Sequence, residues 1–262
     1  MEKSVLENIV LDYISGLSLR KLRSKYDYTI GNLHYHLKKR NVLRQNNIVK
    51  SIKLENPLMM GVFIGIWAGD GSKFIDHGAY TIKIHINKND LEFVAFFRVV
   101  MEKLFGKRVT FIAEKETNQG LIRFYSRFIY RLIDNYVAYE ENKTLSIRLK
   151  EDLARYNGDF LKGFLIGITL SDGYIKEKFI LYSISEALIN NVKMIVENAT
   201  LMPYIYMQEP KGYGRYPNHI LVINKQQTKH LKHEINQYLE KCDYHRDISA
   251  LKGYKQKSEQ SL

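Results

Sequence analysis

The sequence has little cysteine and no long apolar stretch, and each absence narrows the class of protein. A single cysteine, Cys242, cannot form an internal disulfide and lacks the paired spacing of a cysteine-based zinc site. No apolar run approaches the roughly 18–20 residues that span a membrane. The opening residues, Met1 to Ser4, show no secretion-signal pattern. We therefore expect an intracellular protein without a membrane partner, located in the cytoplasm or nucleoid, or in an organelle if the source is eukaryotic.

Acidic residues are scarce relative to basic ones. The 262 residues include 40 Lys and Arg against 28 Asp and Glu, a net charge of +12. A basic excess of this size favours a polyanionic partner, nucleic acid before a membrane surface. Residues 1–54 alone hold 11 basic and 4 acidic residues, so +7 of the excess lies in the first fifth of the chain. This asymmetry predicts a separate basic module at the N-terminus.

The first 44 residues have the pattern of three short helices. Apolar residues recur at helical spacing up to Gly16, which is suited to end the first helix. Ser18 is a suitable N-cap for a second helix. After a break at residues 26–28, Thr29 can cap a third helix over residues 30–40. The layout resembles a helix-turn-helix, whose second helix enters the DNA major groove.

The third predicted helix carries the candidate DNA contacts of this module. We predict that Ile30, Leu33 and Leu37 face the interior, which leaves the polar and basic residues outside. The alternative is a small helical cap with a solvated basic face. The candidate DNA-binding residues are Asn32, His34, His36, Lys38 and Lys39.

The rest of the chain is duplicated. The segment LMMGVFIGIWAGDGSKF, from Leu58, and the segment FLKGFLIGITLSDGYIK, from Phe160, share the spacing G-x-x-x-G-x-x-x-[GS]-D-G. Each copy continues with similar strands and helices, which implies two half-domains related by a pseudo-two-fold axis. The predicted organisation is a helix-turn-helix-like module over 1–44, a linker over 45–56, the first repeat over 57–150, the second over 151–251 and a polar tail over 252–262.

Small residues four apart form a stripe in each copy. They are Gly61, Gly65 and Gly69 in the first copy and Gly163, Gly167 and Ser171 in the second. Each helical glycine costs roughly 1 kcal/mol relative to alanine, so such a stripe is useful where two backbones approach closely. We predict that the two motif helices pack against each other at the centre of the protein.

Each stripe ends in Asp-Gly. Gly71 and Gly173 suit a left-handed helix stop. Asp70 and Asp172 would each lie at the negative end of a helix dipole, and two such ends side by side would bring like charges together. That arrangement is costly unless a cation lies between them. Carboxylates and backbone carbonyls are hard oxygen ligands suited to Mg²⁺ or Mn²⁺, and such sites activate water in many nucleases.

These segments resemble the LAGLIDADG motif. The copies read FIGIWAGDG and LIGITLSDG, and both keep the glycine at the third position and the final Asp-Gly, although Ala68 and Leu170 replace the family's sixth-position acid. The resemblance implies an α+β fold with duplicated α-β-β-α-β-β-α halves, whose antiparallel sheets form a DNA-binding saddle. It also implies a monomeric homing endonuclease that cuts double-stranded DNA at a long site and promotes intron mobility.

The resemblance also assigns roles at the site. Asp70 and Asp172 would be catalytic and would bind Mg²⁺ with the carbonyls of Gly69 and Ser171, and Mn²⁺ or Ca²⁺ could substitute in binding. A basic residue after the last strand of each repeat often supports such a site. Arg127 and Lys225 occupy those positions here and are the further catalytic candidates.

The predicted strands supply candidate DNA contacts. Polar residues alternate with isoleucines over residues 80–88, as a DNA-facing sheet requires. A merely solvated sheet would show the same alternation. The candidates in the first repeat are Thr81, Lys83, His85, Asn87, Arg108, Thr110, Arg123 and Tyr125, and those in the second are Lys176, Lys178, Tyr206, Gln208 and Arg215.

Two other functions fit the same fold. One is a DNA-binding regulator that does not cleave, and the other is an RNA maturase with intron RNA as its partner. The presence of both Asp70 and Asp172 argues against the regulator, since a degenerate copy often loses one acid. A requirement for Mg²⁺ and for both aspartates distinguishes the endonuclease.

Overall fold

The computed structural model describes residues 3–15, 17–40, 42, 56–114, 116–210 and 215–240. The chain folds into two compact units, Met1–Lys50 and Ser51–Leu262. Within the described residues, no helix has both the length and the apolar character needed to cross a membrane. Gly16, Cys242, most of the predicted linker and the predicted tail lie outside the described residues.

The N-terminal unit contains the three predicted helices, α1 (Lys3–Ser15), α2 (Leu19–Tyr26) and α3 (Ile30–Lys39). The Ser18 and Thr29 side chains accept hydrogen bonds from backbone N–H groups in the first turns of α2 and α3. Asp27 ends α2 in the left-handed conformation. The helices pack around a shared core of Ile9, Tyr13, Leu22, Leu33 and Leu37.

Ile30 differs from the prediction for this unit. Its side chain is exposed, because it occupies the first position of α3, before the turns of the helix that pack on the core.

A polar cluster joins α1 to α2. Asp12 accepts hydrogen bonds from the Lys25 ammonium and the Tyr26 hydroxyl, both at 2.6 Å. The Lys25 hydrogen bond and then the Tyr26 hydrogen bond lower the pKa of the Asp12 carboxyl.

The larger unit consists of two similar halves joined by a connector. The first half runs α4 (Pro57–Asp70), β1 (Gly71–Asp76), β2 (Ala79–Asn87), α5 (Leu91–Phe105), β3 (Thr110–Ala113), β4 (Gln119–Tyr125) and α6 (Arg127–Tyr136). The connector contains β5 (Val137–Ala138), α7 (Lys143–Ser146), β6 (Arg148–Leu149) and a 3₁₀ turn (Leu153–Arg155). The second half runs α8 (Gly158–Asp172), β7 (Gly173–Ile175), β8 (Phe179–Ser183), α9 (Glu186–Asn198), β9 (Tyr204–Gln208), β10 (Asn218–Ile223) and α10 (Lys225–Glu240).

Each half contains a four-stranded antiparallel sheet. The strand orders are β1-β2-β4-β3 and β7-β8-β10-β9, so the two halves have the same topology. Strands β1 and β7 begin at the residue after each motif aspartate and pair with β2 and β8. The predicted α+β fold with duplicated halves and antiparallel sheets is therefore confirmed.

Helices α4 and α8 pack against each other along the predicted small-residue stripes. A Cβ atom on Gly61 would overlap the carbonyl of Phe160, and one on Gly163 would overlap the carbonyl of Leu58. The same holds for Gly65 and Gly167 further along the pair. Most of the remaining side chains of these helices are buried, so the pair forms the centre of the unit.

The first repeat passes from its last helix directly into a short strand. Helix α6 ends at Tyr136, and Val137 enters a short strand that pairs with Leu149. Val137 is buried and β-branched, which favours the extended conformation at that position. The connector thereby turns back along the second half, where the Ser185 hydroxyl donates to the carbonyl of Ile147 at 2.7 Å.

Candidate metal and nucleic-acid site

Each motif helix ends at its aspartate and passes directly into a strand. The glycines that follow, Gly71 and Gly173, both have φ of −87° and an extended conformation. The prediction of a left-handed helix stop at these glycines is therefore wrong. Space explains them instead, because a Cβ on Gly71 would overlap Trp67 and one on Gly173 would lie 2.7 Å from the Cα and carbonyl oxygen of Thr169.

The two helix ends meet, as the paired motifs predict. A Cβ built on Gly69 would overlap the Ser171 hydroxyl and would lie 2.9 Å from Oδ2 of Asp172. The Ser171 hydroxyl donates to carbonyls of its own helix, Gly167 at 3.3 Å and Ile168 at 3.1 Å. Asp70 and Asp172 are both half-buried. The structure thus brings the four predicted metal-binding residues to one place.

A lysine that sequence reasoning missed lies at this place. The Lys143 ammonium donates hydrogen bonds to the carbonyl of Gly69 at 3.1 Å and to that of Gly71 at 2.6 Å. Burial lowers the pKa of Lys143 to about 8, while the nearby charges of Asp172 and Asp70 act in the opposite direction. The site therefore contains a lysine ammonium close to both motif acids.

The connector holds Lys143 in position through local hydrogen bonds. Lys143 is the first residue of α7, and the Asn142 side chain caps that helix by accepting from the Thr144 N–H at 3.1 Å. The Ser146 hydroxyl donates to the carbonyl of Asn142 at 2.9 Å and accepts from the Glu140 N–H at 2.8 Å. Among the described residues, neither repeat contains a second helix of this kind, so the duplication of the motif does not mark Lys143.

The aromatic residues beside Lys143 form the wall of the site. Its Nζ atom lies 4.9 Å from the centroid of the Trp67 ring, a cation–π distance. The Tyr139 ring packs 5.9 Å from Trp67, and burial raises the pKa of Tyr139 to about 12. The Trp67 Nε1 atom is buried without a hydrogen-bond partner, so the indole position is set by packing.

The first sheet carries a polar row next to the acids. The strand register aligns Ser72, Lys83, Arg123 and Thr110 across all four strands. His85 follows Ile84, which pairs with Gly71, the residue after the end of α4, so His85 lies beside that helix end. Burial, and then the charges of Lys83 and Lys143, lower the pKa of His85, so this face of the sheet adjoins the acid pair.

The other candidates of the first repeat divide by position. Asn87, Thr110 and Tyr125 are exposed on strands, and Arg108 is exposed two residues before β3 begins. Thr81 is only 3% exposed, because Phe74 and Tyr125 flank it in the neighbouring strands. Its burial argues against a direct contact between Thr81 and DNA.

The second sheet has a different surface. Lys176 and Lys178 are exposed in the turn between β7 and β8, and Arg215 is exposed before β10. The exposed Tyr206 stacks on Tyr204 with 6.3 Å between ring centroids. Gln208, the last residue of β9, is half-buried. This sheet therefore presents aromatic rings where the first presents a basic row.

Arg127 and Lys225 each begin the last helix of their repeat and are exposed, so their positions are equivalent. The Arg127 guanidinium lies 5.5 Å from the centroid of the Tyr80 ring. Tyr80 pairs with Ile75, which is four residues along β1 from Gly71, a distance of roughly 13 Å at the rise of a strand. Lys225 forms an ion pair with Glu177 at 3.5 Å, in the turn after β7.

The N-terminal candidates lie together on α3. Asn32, His34, Lys38 and Lys39 are exposed and His36 is half-buried, while Leu33 and Leu37 face the core. The polar face predicted for the third helix is therefore present in its unit.

No group of three or more His, Cys, Asp or Glu side chains that could hold a metal occurs within the described ranges. The donors at the helix ends are instead two carboxylates and backbone carbonyls. All are hard oxygen ligands, so their chemistry fits Mg²⁺, Mn²⁺ or Ca²⁺.

Comparisons with known proteins identify the same architecture. The LAGLIDADG-like domain family matches residues 159–236, which lie in the second half. Mesophilic variants of the homing endonuclease I-DmoI have a similar fold, with a TM-score of 0.54 and 16% identity over 69% of this chain and 96% of theirs. I-DmoI in complex with DNA and Ca matches with a TM-score of 0.52 and 15% identity over 69% of this chain and 90% of that one. A search of characterised proteins by sequence finds no match.

At these levels of sequence identity, the structural similarity shows the fold alone. The family match assigns residues 159–236, in the second repeat, to the LAGLIDADG-like domain. The chain therefore carries a LAGLIDADG-like domain and has the fold of the LAGLIDADG homing endonucleases.

Proposed function

We propose that the chain is a site-specific endonuclease that hydrolyses both strands of duplex DNA at a long recognition site with the help of a divalent cation. The observation that carries this proposal is the meeting of Asp70 and Asp172, one from each repeat, at the joined ends of α4 and α8. A site shared between two halves suits a substrate with two strands, because each half then supplies one acid.

The family match and the fold support this function. I-DmoI has been crystallised in complex with DNA and Ca, and a variant of it in complex with its target DNA in the presence of Mn, and both structures have a similar fold. In the present chain, Asp70 and Asp172 would hold the cation together with the Gly69 and Ser171 carbonyls. A bound divalent cation would lower the pKa of a water molecule and stabilise charge on the phosphate. Mg²⁺ is the cofactor we propose, with Mn²⁺ or Ca²⁺ able to take its place in binding.

The surfaces around the site support duplex DNA as the substrate. The row from Ser72 through Lys83 and Arg123 adjoins the acids, and its charges would contact phosphates or base edges. We propose that the two sheets form a saddle over the DNA and that the chain acts as a monomer, because both acids come from one chain.

A cleavage assay on a randomised duplex library tests the function. We expect the wild-type chain with Mg²⁺ to produce double-strand breaks within one long motif, and the double variant Asp70→Asn, Asp172→Asn to produce none. The matched control is Asp76→Asn, which removes an exposed carboxylate at the end of β1 and should cut as the wild type does.

Two outcomes would replace the proposal. Tight, sequence-specific binding without cutting in Mg²⁺ or Mn²⁺ would indicate a DNA-binding regulator. Preferential binding of structured intron RNA over duplex DNA would indicate a maturase.

A further inference from the structure

The second sheet has an apolar row at the positions where the first sheet has its polar row. In the first sheet, the glycine after the motif aspartate, Gly71, pairs with Ile84 in β2. In the second, the equivalent Gly173 pairs with Leu181 in β8. Counted from these two pairs, the positions of the polar row are occupied in the second sheet by Tyr174, Ile180, Val222 and Tyr204, which we call the apolar row. The two repeats therefore share the position of this row beside the acid pair but not its chemistry.

The apolar row lies on the open face of the second sheet. The other face packs on α9, and Leu221 on that side has no exposed surface. On the open face, Tyr204 is 50% exposed and Tyr206 46% exposed, and their rings stack. Their partners in the register, Val222 and Ile220, are almost fully buried. Exposed aromatic surface on a buried apolar base, with charged residues at its edge, is typical of a binding face.

Basic residues lie at the edge of this face and not within the apolar row. Lys176 and Lys178 are exposed in the turn between β7 and β8, and the Lys176 ammonium lies 5.8 Å from the centroid of the Tyr174 ring. The acid of that turn, Glu177, is paired with Lys225 at 3.5 Å. The row itself has no charge with which to neutralise a phosphate. A duplex at the acid pair would therefore meet basic groups at its backbone and apolar groups at its base edges.

The chemistry of the apolar row selects one feature of the DNA major groove. The apolar group that base edges present there is the C5 methyl of thymine. We propose that the second repeat reads its half of the DNA site through thymine methyl groups, which pack on the apolar row and on Tyr206. This inference rests on the proposed function, because it specifies the substrate of the same site.

The two halves of the recognition site then differ in base composition. Tyrosine hydroxyls can donate to or accept from the edges of the same A·T pairs, so the half bound by the second repeat is rich in A·T pairs. The polar row of the first sheet contains Lys83 and Arg123, whose side chains suit the O6 and N7 atoms of guanine.

Replacement of thymidine by deoxyuridine isolates the methyl contact. Deoxyuridine lacks the C5 methyl group and keeps the base pairing and the backbone charge. Burial of one group of this size corresponds to about a fourfold change in affinity. Two or three contacted methyl groups correspond to roughly 15- to 60-fold, if each contributes independently.

The test begins with the selection of bound duplexes from a randomised library by the full chain in CaCl₂, so that it does not depend on cutting. Every thymidine in one half of the selected site is then replaced by deoxyuridine, and the other half is treated in the same way. We expect one half to lose at least about fourfold in affinity and the other to stay within about twofold, measured by fluorescence anisotropy.

A tyrosine variant assigns the effect to the second sheet. The double variant Tyr204→Ser, Tyr206→Ser should bind the thymidine and deoxyuridine duplexes equally. The matched control is Met207→Ser, an exposed residue of the same strand that pairs with His219 on the other face. The control should keep the wild-type preference for thymidine. Because the deoxyuridine comparison also uses the wild-type chain, a variant that fails to fold leaves the inference testable.

The outcomes separate this inference from the proposed function. Equal binding of thymidine and deoxyuridine duplexes by the wild type would overturn the methyl readout while leaving DNA binding. A thymidine preference that persists in the double variant would overturn the assignment to the second sheet. A dimer of the wild type in sedimentation that the double variant does not form would assign the face to a second copy of the chain instead. Enrichment of no duplex at all would overturn the proposed function as well.

Discussion

At the scale of single residues, the ends of the motif helices combine an acid with a glycine for steric reasons. Gly71 and Gly173 allow each chain to turn from helix into strand against Trp67 and Thr169 without a left-handed residue. The acids are thereby held at the point where the helices meet. Both acids lie close enough to Lys143, on the connector, for their charges to raise its pKa against the effect of burial.

Lys83 provides a residue-scale test of the DNA-binding surface. It lies opposite Arg123 and Ser72 in the neighbouring strands, in the polar row of the first sheet. Replacing Lys83 with alanine should weaken binding to duplex DNA and reduce the slope of log K against log salt by about one, because one phosphate contact releases about one counter-ion. The measurement is fluorescence anisotropy of the labelled duplex between roughly 50 and 300 mM KCl, a range wide enough to compare the two slopes.

The control for Lys83 is Lys103→Ala, an exposed lysine in the last turn of α5. Its removal changes the net charge equally but should leave the slope within error of the wild type. Equal slopes for wild type and Lys83→Ala would exclude the first sheet's polar row from the phosphate contacts.

At the scale of elements, the sequence predicted the parts with strong local patterns. The capped helices α2 and α3, the two motif helices and the alternating strand β2 lie as predicted, because caps, glycine spacing and period-two alternation are local properties. The connector could not be predicted in this way. Its strands are two residues long, and they form only because Val137 and Leu149 pair across eleven intervening residues.

The candidate site shows the same division. Asp70 and Asp172 were predicted from the repeated motif, since repetition marks both members of the pair. Lys143 lies on the four-residue helix of the connector and is not part of the repeated motif, so no pattern in the sequence distinguishes it from other lysines. The burial of Thr81 likewise depends on Phe74 and Tyr125 in neighbouring strands, which alternation within β2 does not show.

The pairing of α4 with α8 gives the element-scale prediction. Gly65→Ala should destabilise the larger unit by roughly 1–3 kcal/mol, the usual cost of overpacking, because a Cβ there would overlap the carbonyl of Phe164. Gly158→Ala should be neutral or slightly stabilising, since a Cβ at the start of α8 would meet nothing within 4 Å. Urea unfolding followed by circular dichroism measures both.

A cost for Gly65→Ala no larger than that for Gly158→Ala would show that the helices can separate without penalty. The close approach that brings the two acids together would then not depend on the glycine stripe.

At the scale of the whole molecule, the two halves share topology but not surface chemistry. The first sheet carries the Lys83–Arg123 pair, whereas the second exposes Tyr204 and Tyr206. We infer that a recognition site would be read mainly through charge and hydrogen bonds by one half and through tyrosine contacts by the other. Such a site would lack two-fold symmetry in sequence despite the symmetry of the fold.

The N-terminal unit provides a prediction at this scale. It has its own core and exposes Lys38 and Lys39 on α3, and we propose that it acts as an auxiliary DNA clamp. Deleting residues 1–50 should weaken DNA binding and lower its salt slope while leaving metal-dependent cutting. The full chain with Lys38→Ala and Lys39→Ala should show a smaller loss of the same kind. Unchanged affinity after the deletion would rule out the clamp.

The central claim is that the two repeats form one composite site in which each contributes an essential acid. The most direct measurement is strand-resolved cleavage of the identified target by Asp70→Asn and by Asp172→Asn, each tested alone with Mg²⁺ after its fold and DNA affinity are verified. We predict that each single variant binds the target but yields no double-strand product. Full double-strand cleavage by either variant would contradict the composite site.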